Sequence, residues 1–256
     1  MLLVVRLAYL WMLLWCVNAN GRDLYILAVG DSSLGNCNAQ SYGNVEGVYQ
    51  IGIDGNVKPA RDPFDWSACA GGSIWMPMGR IIIEQGIAQK VIIMPVVVPR
   101  AGVRDWLPGG SQSALLTRAI ETISKKNIAF DFVFWQQGLS DVKSFDSSYK
   151  NNLWRLTKEI GLKVKADRWL IAQGSSCRSP LRQDLRAILS ELANAHIMSR
   201  YNGPDLDELP PISVDQACNL TGIGQRNAAA LWIEAIKKSE IESKKFQKET
   251  LLFYFR

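Results

Sequence analysis

Short apolar runs alternate with amphipathic stretches along most of this chain. Four runs rich in β-branched and aromatic residues end abruptly at glycine, proline or polar clusters and predict buried strands. These runs are 24–29, 91–98, 131–135 and 168–173. Other stretches carry apolar residues at helical spacing and predict helices over about 75–89, 113–126, 148–163, 181–198 and 225–238. Because strands alternate with helices, the pattern predicts a mostly parallel central sheet between two helical layers, a three-layer α/β/α sandwich.

The segment 43–75 interrupts this alternation. It is rich in Gly, Asp, Asn and Pro, and it contains a turn signal at 53–56. We expect a small hairpin here, in which 48–53 pairs with 57–59. A second loop, 99–110, follows the strand over 91–98.

The first predicted strand ends in Gly30-Asp31-Ser32. In open α/β sheets, functional groups gather beyond the carboxyl ends of parallel strands, so the Ser32 hydroxyl lies where chemistry is expected. Ser32 is therefore a candidate nucleophile. For the tripeptide alone, the simpler alternative is that the three residues are ordinary turn formers.

Composition is that of a globular α/β protein. The 256 residues are 48% hydrophobic and 21% charged, which is enough for one large domain, and no repeat or linker divides residues 20–256. The formal net charge is +5. Much of it lies at the C-terminal end, in Lys237, Lys238, Lys244, Lys245, Lys248 and Arg256. We interpret these cations as a basic helical tail exposed to solvent and expect no nucleic-acid partner.

Residues 1–19 predict a secretory signal peptide. Arg6 precedes an apolar core from Leu7 to Val17, and small Ala19 completes a V-x-A cleavage site. The apolar run is too short to span a bilayer comfortably, so we expect a secreted or periplasmic protein without an integral membrane segment after cleavage. An uncleaved anchor is the alternative.

Four cysteines remain after cleavage of the signal: Cys37, Cys69, Cys177 and Cys218. An even number in an oxidising compartment predicts two disulfides. Four cysteines allow three pairings, of which we expect Cys37 with Cys69 and Cys177 with Cys218, at one edge of the site. The sequence has no C-x-x-C pair and a single histidine, so we expect no metal site and no cofactor.

Further blocks follow the later strands. The strand over 131–135 continues into Trp135-Gln136-Gln137-Gly138-Leu139-Ser140-Asp141, and the last helix is preceded by 214–225, which contains Asn219-Leu220 and Gly224-Gln225. Together with Gly30-Asp31-Ser32, this order of blocks resembles the SGNH (GDSL-like) hydrolase superfamily. It is most similar to the carbohydrate esterase branch, which includes sialate O-acetylesterases and acetylxylan esterases. The resemblance extends from about residue 24 to residue 236.

The resemblance implies a flavodoxin-like fold and a serine esterase site. The family's first block carries the nucleophile, which here is Ser32. Its third block is similar to Trp-x-Gln-Gly-x-x-Asp and is matched by Trp135, Gln137, Gly138 and Asp141. The resemblance implies that Gln137 and the backbone at Ser32 and Gly102 stabilise the oxyanion. The implied substrate is an O-acetylated sugar or polysaccharide.

The match is partial at two blocks. The family's last block is an Asp-x-x-His whose histidine is the base, and alignment on Leu220, Gly224 and Gln225 puts Asn219 at the base and Gln216 at the orienting aspartate. The nearest aspartate, Asp215, lies one residue before the position aligned with the orienting aspartate. The family's second block contains two glycines, and without a gap these fall on Val97 and Arg100. A small register shift would instead make Gly102 an oxyanion donor.

The replacement of histidine by Asn219 bears directly on activity. A serine hydroxyl needs an adjacent base, and an amide accepts no proton at a useful pKa. We therefore expect a rate lower by on the order of 10⁴ or more. Three other residues are poor replacements for the missing base. His196 lies in or at the end of a predicted helix, where a histidine is more often an ordinary surface or packing residue. Asp215 is a weak base at neutral pH, and a disulfide-bonded Cys218 cannot act as a base.

Two function classes follow from these residues. The first is a secreted ester hydrolase that acts on O-acetylated carbohydrate with reduced or lost activity. The second is a catalytically inactive relative of the same fold that binds a glycan or a protein. Four tryptophans near the predicted loops are either core residues or platforms for sugar rings: Trp66, Trp75, Trp106 and Trp135.

Overall fold

The strands and helices follow the alternating pattern of the sequence. The computed structural model describes residues 21–142, 145–174, 177, 181–195 and 199–254. Its strands are β1 Asp23–Gly30, β2 Val48–Ile51, β3 Val57–Pro59, β4 Lys90–Val97, β5 Ala129–Gln136, β6 Lys165–Ile171 and β7 Arg200–Asn202. Its α-helices are α1 Trp75–Glu84, α2 Val103–Trp106, α3 Ser113–Lys126, α4 Tyr149–Lys163, α5 Gln183–Asn194 and α6 Gly222–Tyr254.

The described strands form one sheet in the order β3-β2-β4-β1-β5-β6-β7. Neighbouring strands are parallel except β2 and β3, which form the antiparallel hairpin that the sequence predicts. At the end of β1, Gly30 pairs with Val97 of β4 and with Gln136 of β5. Because β1, β4 and β5 end at paired residues, the loops that follow these three strands lie side by side.

Both faces of the sheet are covered, which explains why the central strands are continuously apolar. Ile26 and Ala28 of β1 point into a core shared with α1 and α6, and Leu27 and Val29 point into the opposite core, shared with α2 to α5. On the first face, Phe134 stacks on Trp232 of α6 with ring centroids 4.2 Å apart. The fold is the predicted three-layer α/β/α sandwich.

Three helices differ in length from their predictions, and one of them, α5, covers only Gln183–Asn194 of the predicted 181–198. Helix α1 ends at Glu84 rather than residue 89, because Gly86 adopts φ +66° and the N–H of Ile87 bonds back to Ile82. This closing turn is the Schellman motif, which places an apolar residue after the helix end. The last helix runs from Gly222 to Tyr254, well beyond the predicted 225–238, since no glycine or proline follows Gly224.

Two short elements were not expected from the sequence. Strand β7 begins with Arg200, which is only 2% exposed. Its guanidinium lies over the rings of Trp154 and Trp169, 5.3 and 5.9 Å from their centroids, and donates to Thr157 Oγ1. Helix α2 forms inside the predicted loop 99–110.

The predicted signal peptide, residues 1–19, lies outside the described residues. Within the described part of the chain, no helix combines the length and the apolar character needed to cross a bilayer.

Candidate active site

A turn at the end of β1 carries Ser32, and glycine is required there. Gly30 has φ +136°, and a methyl carbon on it would lie 1.9 Å from the carbonyl oxygen of Gln136. The two strands can approach this closely only without a side chain, and the N–H of Asp31 then donates to the same carbonyl at 2.9 Å. The turn is therefore fastened to the end of β5.

Asp31 holds the nucleophile candidate in place. Its Oδ1 accepts the backbone N–H of Ser32 at 2.6 Å, and its Oδ2 accepts the hydroxyl of Ser140 at 3.0 Å. Ser32 then begins a short 3-10 helix, and its side chain is partly exposed. Because Asp31 takes the Ser32 N–H, that backbone group already has an acceptor in this structure.

Ser32 and Asn219 line the same cavity, which has a volume of about 1000 Å³. Ser140, Arg100 and Arg182 also line it. Both predicted disulfides are present in the structure and form part of the wall: Cys37–Cys69 and Cys177–Cys218. Cys218 is therefore not a free thiol.

Hydrogen bonds from buried amides place the last block against the loop that follows Ser32. The side chain of Asn38 accepts the N–H of Leu220 and donates to the carbonyls of Ser33 and Gly35. Gln225, which is fully buried, donates to the carbonyls of Gln40 and Ser73. These bonds bring Asn219 to the cavity.

The side chain beside Asn219 is Asp215. Asp215 Oδ1 accepts the backbone N–H of Asn219 at 2.9 Å, and Oδ2 faces the Asn219 amide nitrogen at 3.4 Å. Gln216, the aligned orienting position, is exposed. Asp215 directly precedes the aligned position 216. It reaches residue 219 because a tight loop is closed by the hydrogen bond from the Asp215 N–H to the Asn219 carbonyl.

Gln137 and Gly102 both use their N–H groups within the protein. The Gln137 amide nitrogen donates to the carbonyl of Ala101 at 2.7 Å and to Asp141 Oδ2 at 2.8 Å, and the side chain is only 2% exposed. The Gly102 N–H donates to Asp105 Oδ2 at 2.8 Å. Neither residue lines the cavity that contains Ser32. Their part in oxyanion stabilisation stays a prediction.

Arg100 occupies the backbone conformation of a glycine. Its φ is +64°, a left-handed conformation that costs a residue with a side chain about 1–2 kcal/mol. The ungapped alignment of the second block places Arg100 at the second of the family's two glycines. No described residue accepts the N–H of Arg100. Since Arg100 lines the cavity, this N–H is a candidate oxyanion donor.

Asp141 fastens the loop that carries Arg100. Its Oδ1 accepts the N–H of Val103 at 2.7 Å, and its Oδ2 accepts the amide of Gln137, which also binds Ala101. Burial raises the pKa of Asp141 to about 6, although these hydrogen bonds oppose the shift and the charge of Asp31 adds to it. The third-block aspartate therefore acts through the loop rather than on the cavity directly.

Asp141→Asn should change how stability depends on pH. The folded-state pKa of Asp141 is raised from 3.8 to about 6, so between these values the unfolded chain releases its proton first. Rising pH therefore lowers wild-type stability across this window, by up to about 3 kcal/mol. The asparagine variant has no such proton to lose. Between pH 4 and pH 7.5 its free energy of unfolding, measured with urea, should therefore rise relative to that of wild type by up to about 3 kcal/mol.

Asp167→Asn, which removes one exposed carboxylate, is the matched control for the loss of charge. If both variants show the same change with pH relative to wild type, the assigned protonation of Asp141 is wrong.

Several other predicted site residues lie away from the cavity. Trp66, Trp75, Trp106 and Trp135 are each at most 2% exposed, so they are core residues and not platforms for sugar rings. His196 lies outside the described residues.

Solved structures with similar folds include ester hydrolases. The chain is similar to a protein from Arabidopsis thaliana, with 16% identity, a TM-score of 0.57 and coverage of 83% of this chain and 96% of that one. It is also similar to a candidate GDSL-like lipase from Parabacteroides merdae, with 13% identity, a TM-score of 0.55 and coverage of 84% and 96%. A family 3 carbohydrate esterase from Clostridium thermocellum gives 12% identity, a TM-score of 0.53 and coverage of 86% and 98%.

These similarities define the fold. No family model matches the sequence, and no curated protein matches it. At such low identity the likeness is one of architecture, and that architecture is the SGNH hydrolase-like α/β/α fold expected from the order of the sequence blocks.

Proposed function

We propose that this protein is a secreted or periplasmic relative of carbohydrate esterases that binds O-acetylated carbohydrate and deacetylates it slowly. One observation carries the proposal. Ser32 and Asn219 line the same cavity, and Asn219 is the residue that the sequence alignment puts at the histidine base of the related esterases. The similarity in fold to a carbohydrate esterase supports the substrate class.

Each half of the reaction takes a proton from the attacking oxygen and gives a proton to the leaving oxygen. The Ser32 hydroxyl attacks the acetyl carbonyl and loses its proton, and the sugar oxygen takes up a proton as it leaves. Water then attacks the acetyl-serine, one of its protons returns to the Ser32 oxygen as the bond to the acetyl group breaks, and acetate leaves with the other proton released to solvent. Asn219 can donate and accept hydrogen bonds but cannot take up the serine proton, which is the physical reason for a low rate. The N–H of Arg100 is available to the oxyanion that forms in each half of the reaction.

Ser32→Ala should abolish the slow release of acetate from acetylated xylan and of nitrophenol from p-nitrophenyl acetate. The expected wild-type rate is low, because it depends on the hydroxyl and the cavity without a base. The measurement compares initial rates of wild type, Ser32→Ala and Ser124→Ala, an exposed helical serine that serves as the control. A rate that Ser32→Ala leaves unchanged would show that the hydrolase proposal is wrong.

A non-catalytic glycan- or protein-binding role is the alternative, and the replacement of the base by Asn219 favours it. In that case Ser32 fails to react with a fluorophosphonate and wild type releases no acetate, while acetylated xylan or a protein partner still binds.

A further inference from the structure

Positive charges outnumber negative charges among the described residues that line the cavity. Among the described residues that line it, Asp31 is accompanied by two arginines, Arg100 and Arg182. Both oxygens of Asp31 already accept hydrogen bonds, from Ser32 and Ser140, and the residue is only 4% exposed. The groups that remain open to a ligand are therefore predominantly cationic.

Arg100 is held at the cavity by its backbone. The preceding Val98 donates to the Gly30 carbonyl, which ties the loop to the strand that carries Ser32. The following Ala101 accepts the buried amide of Gln137. The side chain between these anchors is exposed and makes no ion pair or hydrogen bond with any described residue. Arg100 thus has no partner carboxylate among the described residues, and it adopts a left-handed conformation that glycine adopts with less strain.

Arg182 contributes a second, partly neutralised cation. It pairs with Asp184 at 2.6 Å, and its guanidinium lies 4.9 Å from the centroid of the Phe145 ring. Asp184 does not line the cavity. Arg100 is accordingly the side chain with the larger unbalanced charge.

We propose that this cavity selects an anionic carbohydrate, one that carries carboxylate groups, and that Arg100 pairs with a carboxylate of the bound sugar. The inference rests on the proposed function for the class of ligand and adds its charge. A planar guanidinium forms two parallel hydrogen bonds with a carboxylate, which neutral sugars do not offer. The Arg100 side chain thereby determines which acetylated carbohydrates occupy the site.

The test compares the binding of three probes by calorimetry: tetragalacturonate, the neutral xylotetraose and the non-carbohydrate tetraglutamate. We expect tetragalacturonate to bind wild type about tenfold more tightly than xylotetraose, and this preference to fall as salt is raised. Arg100→Gly should remove the preference, and Arg100→Lys should restore part of it. Arg155→Gln changes the same charge at a remote exposed residue and should leave the preference intact.

The variants also separate binding from folding. Glycine fits the backbone at position 100 better than arginine, so Arg100→Gly should unfold at a urea concentration no lower than wild type. Equal binding of tetragalacturonate and xylotetraose would overturn the anionic inference and leave the carbohydrate proposal standing. Arg100-dependent binding of tetraglutamate alone would keep the anion site and overturn the carbohydrate proposal, and no binding of any probe would overturn both.

Discussion

Asn219→His is expected to raise Ser32-dependent ester hydrolysis by on the order of 10³, within the range that a general base contributes. Residue 219 lines the same cavity as Ser32, and the cavity has room for an imidazole. Asp215 already faces the side chain at this position and would accept the second ring N–H, which fixes the ring and its tautomer. Initial rates with p-nitrophenyl acetate and acetylated xylan measure the gain.

Three further variants test each part of that gain. Adding Ser32→Ala to Asn219→His should return the rate to background. Adding Asp215→Asn should remove much of the gain, whereas adding Gln216→Asp should change it little because residue 216 is exposed. Asn219→Gln keeps an amide and should give no gain. If Asn219→His has no effect in oxidised, folded protein, the last block has been misplaced.

Gly30→Ala is expected to lower the free energy of unfolding by about 4 kcal/mol or more. The added methyl carbon would lie 1.9 Å from the Gln136 carbonyl, so β1 and β5 must separate at their ends. Overpacking, the positive φ and a strained hydrogen bond from Asp31 each contribute about 1–3 kcal/mol. Since Asp31 positions Ser32, the remaining folded protein should also lose its Ser32-dependent activity.

Gly86→Ala is the matched control for this prediction. Gly86 also has a positive φ, +66°, but a methyl group there meets nothing within 4 Å. It should cost only the backbone strain, about 1–2 kcal/mol. Urea unfolding of both variants measures the difference, and equal losses would show that the close contact of β1 with β5 is not what requires glycine at position 30.

Hydrophobic periodicity was sufficient to predict the layers of this fold. The apolar runs at 24–29 and 91–98 became central strands because a strand covered on both faces needs no polar positions. The short strand with Arg200 could not be found this way, since only its cation–π and hydrogen-bond partners make its burial favourable. Periodicity predicted only the part of α6 that packs on the sheet. The helix continues to Tyr254 because no glycine or proline follows Gly224.

The sequence predicted the candidate site less completely than the fold. Ser32 could be located because parallel strands present their carboxyl ends at one edge. The direction of the Gln137 side chain could not be predicted, because Gln137 follows the last residue of β5 and the alternation of side chains along a strand no longer applies there. Arginine rarely adopts a left-handed conformation, so nothing in the sequence indicated the backbone of Arg100. The contact of Asp215 with Asn219 depends on a loop closure that residue spacing alone does not specify.

The bond between Cys177 and Cys218 has a practical consequence for every comparison of variants. Cys218 immediately precedes Asn219, so the disulfide fixes the cavity wall next to the residue at the predicted base position. A reducing cytoplasm disfavours this disulfide, so the rates measured on protein prepared there would depend on how much of it had become oxidised. Thiol titration of each preparation should therefore precede kinetics, with material recovered from an oxidising compartment as the reference.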